Sequence, residues 1–318
     1  MTPEGIVDRI EALLALPAGE QVATARALIA SLPTGEPPEA WNSAFGPGSL
    51  FEAWTRTSIA RDVHGALARE VRQVTSQAGF VLVDVGGGNG SLWHRVFDGT
   101  ESGRLVVVDT LESAVDTVAS AVDAVDWADG AGVSVERLVA PVQDVLGELP
   151  NCDGLVCSMA LHHVAGADAA DRAVHGLSGI GKTEILAGFG AALRERGGVG
   201  FLVEANVDCD LDLAPGELEL ADNIFDSYMR RCGRSILEDV RRAEAAGSDA
   251  DVLPRWRGLL RYWFLEQLAV VDVPFADRDV YELTVPRWVA LIERAGLVLD
   301  DVRGVDAHRL FHLYRFRG

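Results

Sequence analysis

Asp84-Val85-Gly86-Gly87-Gly88-Asn89-Gly90 is the stretch on which the fold turns. It ends an apolar run, Phe80 to Val85, broken only by Asp84, and leads into Ser91-Leu92-Trp93, where a helix can begin. A buried strand that passes through a glycine turn into a helix lets a ligand lie against bare backbone and the helix N-terminus, where side chains would block it. Gly86, Gly88 and Gly90 are spaced as G-x-G-x-G, whereas the dinucleotide fingerprint needs Gly or Ala at the next position, which is Ser91 here.

On the C-terminal side of this turn, strand and helix signals alternate. Arg104 to Asp109, Val133 to Val139, Gly154 to Ser158 and Val199 to Ala205 read as further strands. A helix is expected from about Thr183 to Arg196, with Ile185, Leu186, Phe189 and Leu193 on one side and Gly197 as its stop. Buried strands separated by helices imply an α/β, doubly wound parallel sheet, with its ligand site at the carboxyl ends of the strands. Pro286 to Ala295 reads as a helix with Pro at its start and Gly296 after its end, followed by strands at Val298 to Val305 and Leu310 to Phe316 that can pair antiparallel.

The flanks read as helices. Ile6, Ile10, Leu13 and Leu14 recur at helical spacing, Leu28, Ile29 and Leu32 close a second stretch, Thr34 to Ser49 is a Pro- and Gly-rich loop, and Leu50 to about Gln77 is a third helix. Residues 1–77 are expected to form an N-terminal helical cap. Residues 78–318 would form the main domain, with a helical lid inserted at about 206–280, since that stretch is too long for a loop.

Two acids extend the motif. Asp109 ends the second strand about 20 residues past the glycine turn, where a carboxylate can accept both ribose hydroxyls of a nucleoside. Asp144, just after the third strand, can take the exocyclic amine of an adenine. Contacts to glycine, ribose and adenine without a pyrophosphate point to a nucleoside cofactor smaller than a dinucleotide. In these residues, from about Phe80 to the C-terminus, the chain resembles the class I S-adenosylmethionine-dependent methyltransferases. The resemblance rests on the turn at 84–90, Asp109, Gln143-Asp144, the Asp153-to-Val164 strand and loop, and the final helix and strand pair. It implies a Rossmann-like seven-stranded sheet with the last strand antiparallel, S-adenosyl-L-methionine as cofactor, and the methionine moiety near Gly86 and Gly88. Asp84, Gly86, Gly88, Gly90, Asp109, Asp144 and Ser158 form the expected cofactor-binding set.

Methyl transfer is an in-line displacement, and a general base adds to it where the acceptor must lose a proton. Leu161-His162-His163-Val164 directly follows the fourth strand, and histidine titrates near neutrality. His162 or His163 fits as the base; a hydrogen-bonded loop residue is the alternative. The pair lacks an identifiable carboxylate partner for a metal, and none is expected. In the lid, within the stretch Glu219 to Tyr228, Asp222, Asn223 and Asp226 share a helical face with Glu219 and could orient a polar or cationic acceptor, although a solvated face is the commoner explanation. Tyr262, Trp263 and Phe264 read as core, with one of them able to line an acceptor pocket. Trp54 and Arg56 precede the first strand where similar enzymes cover the cofactor. Gly176 to Thr183 satisfies the P-loop formula G-x-x-x-x-G-K-[ST], but no strand pattern precedes it, so Lys182-Thr183 reads as an exposed helix start.

Composition bounds the rest. The 318 residues include 28 Lys or Arg against 48 Asp or Glu, a net charge of -20 that disfavours nucleic acid as a partner. Lys182 is the only lysine, a skew that reads as coding bias. No apolar stretch approaches the roughly 20 residues that cross a bilayer, and the four cysteines show no paired spacing. A cytoplasmic protein acting on a small molecule, with no membrane or nucleic-acid partner, is expected, and a homodimer is left open. The expected reaction is methylation of a small aromatic or heteroaromatic acceptor in specialised metabolism, at carbon, oxygen or nitrogen and including an indole C3. An NAD(P)-dependent oxidoreductase and a non-catalytic cofactor-binding regulator are the alternatives.

Overall fold

The computed structural model describes residues 5–31, 50–97, 101–125, 127, 132–164, 180–208, 218–247, 256, 258–259, 268 and 283–318. Seven strands build one sheet: β1 Phe80–Val85, β2 Gly103–Asp109, β3 Val133–Val139, β4 Gly154–Ser158, β5 Val199–Ala205, β6 Val298–Gly304 and β7 Phe311–Arg317. Their order is β3-β2-β1-β4-β5-β7-β6. The first five pair parallel, and β7 inserts antiparallel between β5 and β6. This is the sheet that the resemblance implied, with every expected strand present to within one residue at either end.

Burial explains the strand composition. Leu82, Val83, Leu105, Val106, Val107, Leu155, Val156, Leu202 and Val203 are all fully buried, because helices cover both faces of a parallel sheet and leave no solvent side for polar alternation. The chain order reverses between β1 and β4. At that switch point two neighbouring strands send their connections to opposite faces and leave a crevice at their carboxyl ends.

The connecting helices follow their capping chemistry. Thr284 accepts from the Arg287 N–H and Pro286 sits in the first turn, starting the helix Val285–Arg294. Gly197, at φ +61°, ends the helix Ile180–Arg194, which begins three residues earlier than its apolar spacing suggested. The third helical stretch is two helices, Leu50–Thr55 and Ser58–Thr75. Thr57 breaks it: its hydroxyl donates back to the Trp54 carbonyl at 2.7 Å and accepts the Ala60 N–H at 3.1 Å, closing one helix and starting the next.

The chain divides into two compact units. Residues 1–61 with 207–278 form one, and 62–206 with 279–318 form the sheet-bearing other. In the first unit the described helices are Ile6–Ala15, Ala18–Ser31, Leu50–Thr55, Leu218–Phe225 and Gly233–Ala245, with a π-turn at Asp226–Arg230. Arg230 donates to Gln21 at 2.9 Å, and the buried Asp239 accepts from the Ser58 N–H at 2.7 Å and hydroxyl at 2.8 Å, joining distant segments of that unit. From Asp62 onward the Ser58–Thr75 helix belongs with the sheet, and Val74 lies against Gly154 of β4. No described helix is long and apolar enough to cross a membrane.

Candidate active site

Gly86, Gly88 and Gly90 have φ of +72°, +55° and +68°, a region that L-residues seldom adopt. Space reinforces the choice. A Cβ on Gly86 would overlap that of Ala160, and one on Gly87 would stand 2.8 Å from the Asp84 Oδ2 and 2.9 Å from Val118. One on Gly90 would meet Val118 and Ala121 at 3.0 Å on the helix Glu112–Asp123. The turn is therefore pressed between that helix and the loop after β4.

Asp84 is buried, and its Oδ2 accepts from the Trp93 indole N–H at 2.7 Å. Burial pushes its carboxyl up to about 7, with a further upward contribution from Asp109 and an opposing one from the Trp93 bond. Its oxygen thus anchors the residue that opens the short helix Trp93–Val96. Asp109 accepts from the Leu111 N–H at 3.0 Å, and the backbone N–H groups of Gly88 and Thr110 act on its carboxyl in the same sense. Burial raises this carboxyl and those three amides oppose the rise. The Gly86 N–H donates to the Val108 carbonyl at 2.8 Å and ties the end of β2 to the glycine turn. Asp144 is exposed on the short helix Val142–Val145, where the chain returns from β3, and the Ala140 N–H donates to the Asp109 carbonyl at 3.0 Å. Ser158, the last residue of β4, has a buried hydroxyl with no partner among the described residues.

The second turn of the site follows β4. Met159 has φ +54°, unusual outside glycine, and its N–H donates to the Val203 carbonyl at 2.7 Å. This sharp exit carries the chain into a single 3-10 turn, Leu161–His163. Both histidines therefore lie at the strand's carboxyl end, with ring centroids 4.1 Å apart, yet their surroundings differ. His163 is exposed. The His162 Nδ1–H donates to the Glu204 Oε2 at 2.5 Å, and the Glu204 Oε1 accepts the Leu161 and His162 N–H groups at 2.8 and 3.3 Å. That arrangement fixes the tautomer in which Nε2 carries the lone pair. The Glu204 side chain is wholly buried and the His162 side chain 12% exposed.

Glu204 escaped the sequence reading, and so did the true place of Lys182. A signal for Glu204 existed: it is an acid near the end of an apolar strand, as Asp84 and Asp109 are in β1 and β2. Lys182 is buried, contrary to the expected exposed helix start. Its Nζ donates to the Val164 carbonyl, which closes the histidine turn, because the helix begins at Ile180 and turns this residue inward. On β7, His312 stands opposite Glu204 in the ladder. Asn206 bridges to the His312 Nδ1 at 3.1 Å and accepts the Tyr314 hydroxyl at 2.5 Å. Burial and the Glu204 charge push the Tyr314 hydroxyl and the Cys157 thiol upward, so neither is a nucleophile near neutrality.

Of the expected acceptor contacts, Asp222 is exposed and bonds to Arg230 at 2.8 Å, Asp226 pairs with Arg230 and Arg231 at 3.5 and 3.4 Å, and the Asn223 amide donates to the Glu219 carbonyl at 3.0 Å. These side chains are engaged within the helical unit, to which their segment belongs. Tyr228 and Trp54 are buried, and Arg56 pairs with Glu52 on the surface. Tyr262, Trp263, Phe264 and the first part of the P-loop-like stretch lie outside the described residues. Among the described residues no three His, Cys, Asp or Glu side chains are grouped to hold a metal ion.

No family model and no curated protein matches this chain. Solved structures do. The pyocyanin biosynthetic protein PhzM is similar over 95% of this chain and 69% of its own, at 16% identity and a TM-score of 0.47. The N-methyltransferase NodS from Bradyrhizobium japonicum, in complex with S-adenosyl-L-homocysteine, is similar over 92% of this chain and 98% of its own, at 11% identity and 0.42. An O-methyltransferase family 2 protein from Planctomyces limnophilus, in complex with apigenin, is similar over 81% of this chain at 15% identity and 0.43, and this chain spans 60% of its length. Likeness at this level concerns the fold, and the chemistry below is drawn from this chain's own residues.

Proposed function

We propose that the protein is an S-adenosyl-L-methionine-dependent methyltransferase acting on a small molecule. One observation carries the reading: the glycine turn after β1 and the histidine turn after β4 abut at Gly86 and Ala160, two residues before His162. A backbone cradle for a nucleoside cofactor thus neighbours a histidine that a buried carboxylate orients. The residues fit such a cofactor. The left-handed Gly86 and Gly88 present part-exposed backbone, Asp109 is suited to the ribose hydroxyls, Asp144 to the adenine amine, and the buried Ser158 hydroxyl, without a partner among the described residues, has hydrogen-bonding capacity to offer. The cofactor supplies, when bound, an electrophilic methyl group on a sulfonium.

The chain's own contribution is alignment and proton removal. Glu204 accepts from the His162 Nδ1–H, so Nε2 can take the acceptor's proton while the carboxylate stabilises the imidazolium that forms. His162 is proposed as the base in preference to the exposed His163. The acceptor is proposed as a small aromatic or heteroaromatic compound of specialised metabolism, because a phenol oxygen or an indole losing its N–H proton during attack at C3 requires such a base. The proposed organisation is a helical cap over residues 1–77 and a methyltransferase domain over 78–318, with a lid at about 206–280. A panel of phenols and indoles incubated with radiolabelled S-adenosyl-L-methionine tests the activity. Label transfer that disappears in His162→Ala is the expected result, and a folded, cofactor-binding protein that labels none of them contradicts the acceptor class.

A further inference from the structure

The one lysine of a chain with 48 acidic residues is 1% exposed. Removing an ammonium from water costs several kcal/mol unless it is paired, and a leucine or methionine in the first turn of the Ile180–Arg194 helix would fill the space more cheaply. A buried charge kept at that cost invites a search for what it serves. The surroundings of Lys182 supply the answer. Its Nζ donates to the Val164 carbonyl, and the Val164 N–H in turn donates to the Leu161 carbonyl at 3.1 Å, so the lysine grips the residue that closes the histidine turn. The wholly buried Glu204, which holds the other end of that turn through the Leu161 and His162 N–H groups, acts on Lys182 as an attractive charge.

We propose that Lys182 is a positioning residue of the His162–Glu204 pair: its ammonium fixes the turn from below through Val164 and is the counter-charge that matches Glu204. The proposal rests on His162 as the base but makes a claim of its own about charge. Among the described residues, the ionisable groups facing this cluster are His162 and His163 on the turn, Asp84 on β1, Cys157 on β4, Glu204 on β5, and His312 and Tyr314 on β7, while Glu184 on the lysine's own helix faces solvent. Beside these described groups, Lys182 supplies positive charge at neutral pH without a histidine proton. An arginine, used everywhere else in this chain, has a wide planar fork suited to a bidentate partner, whereas the Val164 carbonyl and a buried carboxylate nearby suit a compact ammonium.

The sign of the effect on the base follows from electrostatics. His162 and Glu204 share one hydrogen bond. A nearby positive charge opposes adding a proton to that pair, so removing it lets the pair protonate at higher pH. A base that must be unprotonated then works over a narrower range on the acid side.

Because the lysine is unique, protein labelled with carbon-13 lysine gives one lysine side-chain resonance to titrate by NMR. Burial lowers Lys182 from the ordinary lysine range to about 8 while Glu204 opposes that fall. The expected midpoint in the wild type is therefore near 8, and Glu204→Gln should lower it further by about one pH unit. An ordinary lysine midpoint in the wild type, or one that Glu204→Gln leaves in place, overturns the proposal. In turnover assays, Lys182→Met should move the acid limb of the kcat/KM profile up by about one pH unit and lower kcat near neutrality, with S-adenosyl-L-homocysteine affinity retained. A fall in kcat with the limb unmoved would mean that Lys182 is packing alone. If the wild type transfers no methyl group, the base assignment fails, while the lysine titration still decides the charge cluster without any turnover.

Discussion

The glycine turn after β1 and the histidine turn after β4 touch at Gly86 and Ala160, yet they are shaped by opposite means. The first is made by removing side chains. Three left-handed glycines carry no side chain, with Gly86 and Gly88 part-exposed, and the carboxylate of Asp109 accepts the Leu111 N–H beside them. The second is made by packing side chains: a strained Met159, a buried Glu204 holding three N–H groups, and a buried Lys182 gripping Val164. A surface formed by absence suits recognition of a ligand whose own atoms fill the space. One formed by buried charge suits control of a proton, because the low local dielectric strengthens each interaction and penalises any partner left alone. The contrast implies that damage to one turn should be separable from damage to the other, except where they meet.

Gly86→Val strikes that meeting point and should have the largest effect. It forces a branched residue into φ +72° and drives its Cβ into Ala160. A loss of stability of about 2 kcal/mol or more is expected, together with loss of measurable S-adenosyl-L-homocysteine binding. Chemical denaturation and calorimetry check the two parts. His162→Ala should next separate the turns, lowering kcat by about 10² to 10⁴ while cofactor affinity holds, and Glu204→Gln should follow it in direction. Equal losses in kcat and in cofactor binding would break the separation. Asp109→Ala is the converse variant. Loss of a charge-assisted bond costs about 1.5 to 3 kcal/mol, so cofactor affinity should weaken roughly ten- to hundredfold while kcat at saturation stays near the wild type.

The effect that leaves both turns intact concerns Asp84 and is read as stability against pH. Its carboxyl is raised from 3.8 to about 7 by burial, so between those values the native state binds more protons than the unfolded one. Its ionisation therefore destabilises the fold as pH rises through about 7, and that penalty is absent below about 4. Asp84→Asn keeps an oxygen for the Trp93 N–H and removes the charge. The variant should gain a few degrees in Tm over the wild type at pH 8 and nothing at pH 4. Differential scanning at the two pH values checks this, and an equal change at both would assign the effect to packing. His64, lowered to about 4 by burial and the nearby Arg95, acts with the opposite slope in both proteins and cancels in the comparison.

The same contrast explains what could be read from the chain. The glycine turn was legible because its chemistry is local: positive φ at 86, 88 and 90 and a strand-end acid leave marks at fixed spacing. The strands were legible for a related reason, since β1, β2, β4 and β5 are buried on both faces and read as near-continuous apolar runs. The histidine turn was visible only as two adjacent histidines. What distinguishes them arrives from β5 and from the Ile180–Arg194 helix, about 40 and 20 residues further along the chain, and no local pattern announces a pairing between strands. Lys182 is the sharpest instance. Read locally it was an exposed helix start, and the inward turn of the helix made it buried. The break at Thr57 was missed because a single hydroxyl cap interrupts an otherwise helical run.

The proposed activity depends on the glycine turn being the seat of a nucleoside cofactor. Calorimetric titration of the folded wild type with S-adenosyl-L-homocysteine, run beside NAD, addresses that dependence. Saturable binding of one equivalent of S-adenosyl-L-homocysteine, no heat with NAD, and loss of the signal in Gly86→Val are expected. A folded sample that gives no heat with S-adenosyl-L-homocysteine, or that binds NAD in its place, would contradict it.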